Sequence, residues 1–429
     1  MLVTSLVIGM GIFFNPSLVA ISAKTPTIFY AAWLVGGIIS FFGALTYAEI
    51  GSRYTVRGGY YKICSYCYHP AYAFMVNWMI VISNAGANAA VAIAGSQYIV
   101  PVILPESFNN PLGVKYFTVG IIIFLFLINY LGIKISARLQ NVLSVVKIGM
   151  MLVLCLSVFF MDGHTPRGQS LPPILSGYSD YLGAFCLSFI PIFFTYGGYQ
   201  QIINFGADIE NPRRNTPLGT FLGFIIVMAL YLLINYAYVQ GLGFEGVQQT
   251  KSLAADLAAV FFGEKGFKIV SVLLFFSVLS FINSSMLSNP RVYFAMADDG
   301  VLPKVFRQTN EKTQVQEFSL AVFAIFLIVV LFFFETFKDL LSYVMFFDSI
   351  GMVSTAATIF ILRRRADNVK EGIFQLSFGK NIIPALFIFI YAVVAVTALW
   401  SSPQNVLKAL LLFSLGMPIY WFMKKVVVK

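Results

Sequence analysis

Charge is scarce in this chain. Only 11% of its 429 residues are Asp, Glu, Lys or Arg, against about 25% in a soluble globular protein, while 59% are hydrophobic. With a mean hydropathy of +0.83, this excludes a soluble fold, and no stretch has the polarity of a separate soluble module. Histidine is almost missing too, with only His69 and His164. The run Cys64-Ser65-Tyr66-Cys67-Tyr68-His69 therefore lacks the second ligand pair that a zinc site needs. It also fails the haem-attachment pattern, because Tyr68 separates Cys67 from His69. The other two cysteines, Cys155 and Cys186, sit in apolar runs, so no disulfide scaffold is expected. No nucleotide-binding loop is present, which removes ATP as an energy source within this chain. An enzyme at membrane depth would need a nucleophile–base set or metal ligands, and neither is visible. No cofactor is expected.

What the chain has is apolar length. Runs of about 20 apolar residues mark membrane-spanning helices, and twelve are read: 2–21, 28–50, 71–104, 115–133, 139–161, 181–207, 216–240, 267–294, 318–336, 340–362, 382–400 and 405–423. The third and eighth run long and are expected to tilt or to extend beyond the bilayer. With both termini inside, the outer side holds Lys24, Lys115, Arg167, Lys251, Lys265, Lys268, Lys338 and Lys408. Lys147 falls within a span, and the remaining nineteen basic residues lie inside. This obeys the positive-inside rule. It gives the net charge of +10 a membrane-face origin rather than a nucleic-acid one. No signal peptide is visible. The first span opens almost at Met1, which is compatible with a longer native amino terminus. Pro166, Pro172 and Pro173 mark an outer loop after the fifth span. The apolar run Leu253–Phe262 within the long connection 243–266 is expected to form a short helix over the outer mouth.

Two spans carry glycine pairs where a helix should continue. The first is Val7-Ile8-Gly9-Met10-Gly11-Ile12-Phe13; the second is Phe194-Thr195-Tyr196-Gly197-Gly198-Tyr199. Glycine costs about 1 kcal/mol in a helix interior relative to alanine and lets the backbone leave the helical basin. Freed backbone groups are tolerated at membrane depth only where they are buried in protein or line a cavity. One pair alone fits close helix packing. Two pairs, in spans 1 and 6, point to a binding site built of main chain at the centre of a five-plus-five inverted repeat.

At these residues the chain resembles amino acid permeases of the amino acid–polyamine–organocation superfamily, which have the LeuT-like fold, and is most similar to the L-type amino acid transporter branch. The family's Gly-Ser-Gly-Ile-Phe is matched by Gly9-Met10-Gly11-Ile12-Phe13. Its Tyr-Gly-Gly-Trp is matched by Tyr196-Gly197-Gly198-Tyr199, and its Asn-Pro-x-Arg-Asn-x-Pro by Asn211 to Pro217. Further matches are Tyr47-Ala48-Glu49 with Gly58-Gly59-Tyr60-Tyr61, and Asn283, Arg291, Asp299, Gly300, Leu302 and Pro303. Order and spacing make the set specific, over spans 1 to 10 at least. Three departures stand out: Met10 for serine, Tyr199 for tryptophan, and Ala207-Asp208 for an acidic pair, which puts in doubt any inner gate that rests on both acids. The outer loop Pro105–Gly113 has no cysteine, so a disulfide-linked heavy chain is not expected.

The resemblance implies a transport core over 1–362, with inverted repeats 1–161 and 181–362, and an end segment 363–429 holding spans 11 and 12. It implies that the N–H groups of Met10 and Gly11 bind a substrate carboxylate, that Val7, Phe194 and Gly197 offer carbonyls to the ammonium, and that Phe194 gates the site. Ile12 and Tyr199 belong to the same lining, with Asn88 and Asn84 as polar contacts. Met10 would reshape the pocket without abolishing main-chain recognition. Lys147 is mid-span, where insertion costs about 2.5–3.5 kcal/mol, so it should face protein or water unless it snorkels. By resemblance it replaces a coupling cation, tying carbonyls near Gly9 to Ser277; whether it titrates is open. Asp348, mid-span in span 10, reads equally as a counter-ion or proton site and as a structural carboxylate. Glu49 is expected to order the basic first inner loop beside Arg53 and Arg57, and Glu49 and Asp208 are candidate gate residues with Phe194. Asn283-Ser284-Ser285 matches a glycosylation acceptor inside a span, where it would go unused.

The expectation is an all-α polytopic membrane protein of the cell membrane, twelve-spanning, with both termini cytoplasmic. It would move L-amino acids by alternating access, as an exchanger or coupled to protons. The lining of spans 1, 3, 6 and 8 has no clear acid or base, which favours neutral side chains, and the transporter expectation extends to bulky ones. Basic amino acids or polyamines on the same fold, with Asp348 as counter-ion, are the alternative, and a channel is a weaker one.

Overall fold

The computed structural model describes residues 2–160, 177–250, 252–333, 337–365, 374–376, 379–401 and 403–428. Helices form nearly all of the regular structure among these residues, apart from one isolated antiparallel bridge between Arg57 and Phe205. In order they are α1 (Leu2–Val7), α2 (Gly11–Ala23), α3 (Pro26–Arg53), α4 (Gly59–Cys67), α5 (Pro70–Ile103), α6 (Pro111–Tyr130), α7 (Ile133–Ser157) and α8 (Tyr178–Tyr196). There follow α9 (Pro212–Leu242), α10 (Phe244–Gln249), α11 (Leu253–Asp298), α12 (Glu317–Phe333), α13 (Phe337–Arg364), α14 (Ile382–Ser401) and α15 (Pro403–Val428). Nine described helices are long and apolar enough to cross a membrane, and Gly11–Ala23 and Glu317–Phe332 are shorter apolar ones. The expected loop with His164, Pro166, Arg167, Pro172 and Pro173 lies outside the described residues, as does Lys251.

Local chemistry sets the helix starts. Thr25-Pro26, His69-Pro70 and Asn110-Pro111 each put a side-chain acceptor before a proline, whose missing N–H costs nothing in the first turn. Thr25 Oγ1 takes the Ile28 N–H at 3.3 Å, and Asn110 Oδ1 takes the Gly113 N–H at 2.8 Å. His69 Nδ1 takes the Ala71 N–H at 3.1 Å, so the histidine beside the cysteine pair serves as a helix cap. Burial pushes the Cys64 thiol up to about 12 and the Cys67 thiol up to about 11, so both stay protonated and poor nucleophiles. No cluster of metal-ligating side chains occurs among the described residues.

The long expected spans are long. At about 1.5 Å per residue, the 34 residues of α5 reach roughly 50 Å, well past a hydrocarbon core of about 30 Å. The run Leu253–Phe262 is helical as expected and is joined to the eighth span through a break at Gly263 (φ 64°, ψ −158°). Before it, α10 packs on α2 and α9, and Gln248 Nε2 donates to the Ala20 carbonyl at 3.0 Å. The core lies between α2, α3, α5, α8, α9 and α11, where α2 packs on α8 and α3 on α9. A buried amide–hydroxyl ladder ties α6, α7 and α11. Asn129 Nδ2 donates to Asn283 Oδ1 (2.8 Å), Asn283 Nδ2 to Gln140 Oε1 (2.8 Å), and Gln140 Nε2 to Ser280 Oγ (2.9 Å). Ladders of this kind satisfy polar side chains where no water is at hand. The Asn283-Ser284-Ser285 sequon lies within this packed interior.

Candidate functional site

Both glycine pairs break their helices. α1 ends at Val7 and α2 begins at Gly11, leaving Ile8, Gly9 and Met10 outside both helices. A helix that begins at Gly11 leaves its first N–H groups without intrahelical acceptors and points the positive end of its dipole at the break. α8 ends at Tyr196; Gly197 is extended, and Gly198 takes a φ of 109°, open to glycine alone at little cost. A 3-10 turn over Tyr199–Asn204 carries the chain onward.

The two breaks meet across one cavity. Its wall includes Val7, Gly9 and Gly11 from the first break and Phe194, Thr195, Gly197 and Gly198 from the second. α5 adds Ser83, Asn84 and Ala87; α11 adds Phe281, Ser284 and Ser285; α13 adds Val344 and Asp348. The approach is close: a Cβ at Gly11 would lie 2.9 Å from Thr195 Cα, and one at Gly198 would run into the Leu6 carbonyl. Asn15 Nδ2 reaches Thr195 Oγ1 at 2.7 Å and the Pro191 carbonyl at 3.1 Å, so α2 and α8 are cross-linked just above the breaks.

Of the residues expected at the site, Val7, Gly9, Gly11, Phe194, Gly197 and Asp348 line this cavity together. Met10, Ile12 and Tyr199 do not: all three side chains are buried in the core. Met10 therefore fills space behind the break rather than the cavity itself. Asn88 sits one layer back, donating to Ser285 Oγ at 2.9 Å and to the Asn84 carbonyl at 2.7 Å. The Val7 carbonyl, expected to face an ammonium group, already accepts the Gly9 N–H (2.7 Å) and the Tyr231 hydroxyl (3.0 Å) in this conformation. The same hydroxyl lies 3.4 Å from the Thr195 carbonyl, so Tyr231 of α9 clasps both breaks. Nothing in its apolar sequence context marks that tyrosine out.

Lys147 is fully buried on α7 and does not snorkel. Its Nζ donates to the Ile8 carbonyl at 2.5 Å, one residue from the glycine expected to neighbour it. Ser277 is buried on α11 and its hydroxyl donates to the Leu273 carbonyl at 3.3 Å.

Two ion-pair clusters link segments that are distant in sequence. Asp208 Oδ1 meets Arg57 Nε at 3.0 Å and Asp208 Oδ2 meets Arg291 Nε at 2.8 Å, joining the segment before α4, the segment before α9, and α11. The Arg291 guanidinium also lies over the Phe205 ring at 4.4 Å. A single acid thus engages both arginines where the resemblance has an acidic pair. Glu49 is fully buried and binds Arg53 (2.9 Å) and Arg363 (2.6 Å), and accepts the Leu376 N–H at 3.1 Å. The expected neighbour Arg57 pairs instead with Asp208. Glu49 thus ties α3 to the end of α13.

Comparison with known proteins agrees with this architecture. The chain is 28% identical to the serine/threonine exchanger SteT of Bacillus subtilis (strain 168), over 99% of this chain and 95% of that protein. It is 25% identical to the large neutral amino acids transporter small subunit 2 of Mus musculus, over 97% of this chain and 78% of that protein. It is 24% identical to the human cystine/glutamate transporter, over 97% and 82% respectively. A family model described as amino acid permease matches residues 1–423, and the chain belongs to that family.

Proposed function

We propose that this protein is a secondary active transporter that moves L-amino acids across the cell membrane by alternating access, with exchange as its principal mode. One observation carries the reading: two helix breaks far apart in sequence, at Gly9 and at Gly197, present main-chain groups to a single cavity. Such a cavity matches the two ends of an α-amino acid. The N–H groups opening α2, including those of Met10 and Gly11, suit the carboxylate. Carbonyls of the unwound 194–197 segment suit the ammonium. Val7 would join them only if Tyr231 let go. Relatives named as exchangers and amino acid transporters support the class.

The nine long apolar helices, together with α1–α2, α12 and α15, make twelve crossings in this reading. They are organised as inverted repeats over 1–161 and 181–362 with 363–429 appended, and both termini are cytoplasmic. Lys147 acts as a built-in cation at the break. Arg57, Asp208 and Arg291 close the inner side, and Glu49 anchors the loops around it. No disulfide-linked heavy chain is required, and protons remain a candidate coupling ion through Asp348.

The test is counterflow. Vesicles holding the purified protein and loaded with unlabelled amino acid should accumulate labelled amino acid transiently, and empty vesicles should not. Equal flux from loaded and empty vesicles would favour a channel.

A further inference from the structure

We propose that Asp348, with Ser83 and Asn84, forms an acceptor-rich subsite at the side-chain end of the cavity that selects amino acids carrying a second, cationic group. The inference rests on the cavity being the amino acid site, and it narrows which amino acid fits.

The cavity wall mixes two kinds of polar group. At the break, α2 offers main-chain donors. α13, which packs mainly on α5, α14 and α3, brings Val344 and Asp348, one turn apart, to the same wall. No Lys, Arg or His lies in the lining. Ion pairs among the described residues engage Glu49, Asp208, Asp298, Asp299 and Glu264, and none includes Asp348. Its charged and titratable neighbours behind the wall are the phenols of Tyr47, Tyr60, Tyr199 and Tyr391, none of which is a cation. A carboxylate at this depth is costly unless something offsets its charge.

Donor accounting gives the same direction. The Asn84 side-chain amide donates to Asn289 Oδ1 at 3.0 Å, which leaves its carbonyl oxygen as acceptor beside its second N–H. The Ser83 hydroxyl donates to the Val344 carbonyl at 3.4 Å, which leaves its lone pairs. Three neighbouring groups on α5 and α13 therefore present acceptors to one space. An ammonium or guanidinium brings donors only, whereas a side-chain amide brings an acceptor for every pair of donors. Ala87, Phe194, Phe281 and Val344 add apolar surface to the same wall, which suits an aliphatic stem. Lysine, ornithine and arginine have this shape: a stem with a donor-only tip.

The decisive experiment is competition in counterflow of labelled lysine, comparing lysine, ornithine and arginine with norleucine and glutamine, which have similar stems but no charge. Lysine should compete at a concentration at least about tenfold below norleucine, and Asp348→Asn should shrink that ratio to within about threefold. If norleucine competes as well as lysine in the unaltered protein, or Asp348→Asn leaves the ratio unchanged, the subsite is wrong while amino acid transport stands. Absence of counterflow for every amino acid would instead overturn the transporter reading and this one with it. Should Asp348→Asn be inactive, thermal stabilisation of the purified variant by lysine and norleucine supplies the same ratio. Should it not fold, Asn84→Leu must narrow the ratio in the same direction.

Discussion

Lys147 Nζ and the Ile8 carbonyl oxygen are 2.5 Å apart, across the break that separates α1 from α2. The lysine comes from α7, so the contact pins one helix to the unwound segment of another. A hydrogen bond to a charged group contributes roughly 1.5–3 kcal/mol. This is enough to shift a conformational equilibrium by at least about tenfold.

Lys147→Ala is therefore expected to lower counterflow to about a tenth or less while the protein still elutes as a single species in detergent. Lys147→Gln keeps most of the bulk and removes the charge, and it should be nearly as impaired if charge is what matters. Undiminished uptake by Lys147→Ala would remove Lys147 from the mechanism, and undiminished uptake by Lys147→Gln alone would show that its charge is not needed.

The second break yields a contrast between two glycines. Gly198 has a φ of 109° and no room for a Cβ, which would meet the Leu6 carbonyl; Gly219 on α9 has nothing within 4 Å of its Cβ position. Gly198→Ala should reduce transport by at least about tenfold, through backbone strain of order 1–3 kcal/mol plus displacement of α1. Gly219→Ala should behave as the unaltered protein or be stabilised by up to about 1 kcal/mol, as expected for an exposed helical position. The pair, assayed side by side by counterflow and thermal unfolding, separates a conformational need from general sensitivity to alanine.

Sequence made the breaks legible because glycine is the residue that releases a helix, and Gly9, Gly11, Gly197 and Gly198 stand in otherwise apolar spans. Lys147 was legible for a similar reason: a charge in such surroundings has few explanations. Tyr231 was not, since 22 tyrosines are scattered through the chain and only the fold brings this one to Val7 and Thr195. Pairings across long sequence separations were equally hidden. Glu49 lies near both Arg53 and Arg57 in sequence, yet its second partner is Arg363, 314 residues away. Met10 shows a further limit. A residue inside a motif can turn its side chain into the core and away from the cavity, and composition carries no sign of that direction.

The Glu49 cluster is expected to govern stability more than transport. Its carboxylate is fully buried, and the Arg53 and Arg363 side chains are only 5% and 7% exposed. Glu49→Gln would leave two guanidinium groups in a shared buried site without their counter-charge, a loss of roughly 3–5 kcal/mol. A clear fall in melting temperature in detergent is the expected result. Adding Arg363→Met should restore part of it, because one stranded charge is removed with its partner. A double variant no better than Glu49→Gln alone would show that the two residues are not energetically coupled.

Asp208 is expected to govern access from the cytoplasmic side. It bridges Arg57 and Arg291, whose side chains are 40% and 6% exposed respectively. Arg291 sits deep and Arg57 at the rim, so the carboxylate holds together two segments that would otherwise repel. In Asp208→Asn both guanidinium groups remain and lose the charge between them. The closed inner arrangement is then weakened relative to any state that separates them. A population shift of this kind needs only a difference between the two states, and losing one charged hydrogen bond of about 1.5–3 kcal/mol supplies it. Gln201 provides the reporter, since it lines the cavity on the side of the second break. With Gln201→Cys in the background, a membrane-impermeant maleimide applied from the cytoplasmic face should label Asp208→Asn about tenfold faster than its parent. The native cysteines offer little competition where burial keeps them protonated, and the parent without Gln201→Cys corrects for any that react. Equal labelling rates would show that the Arg57–Asp208–Arg291 cluster is structural and does not gate the cavity.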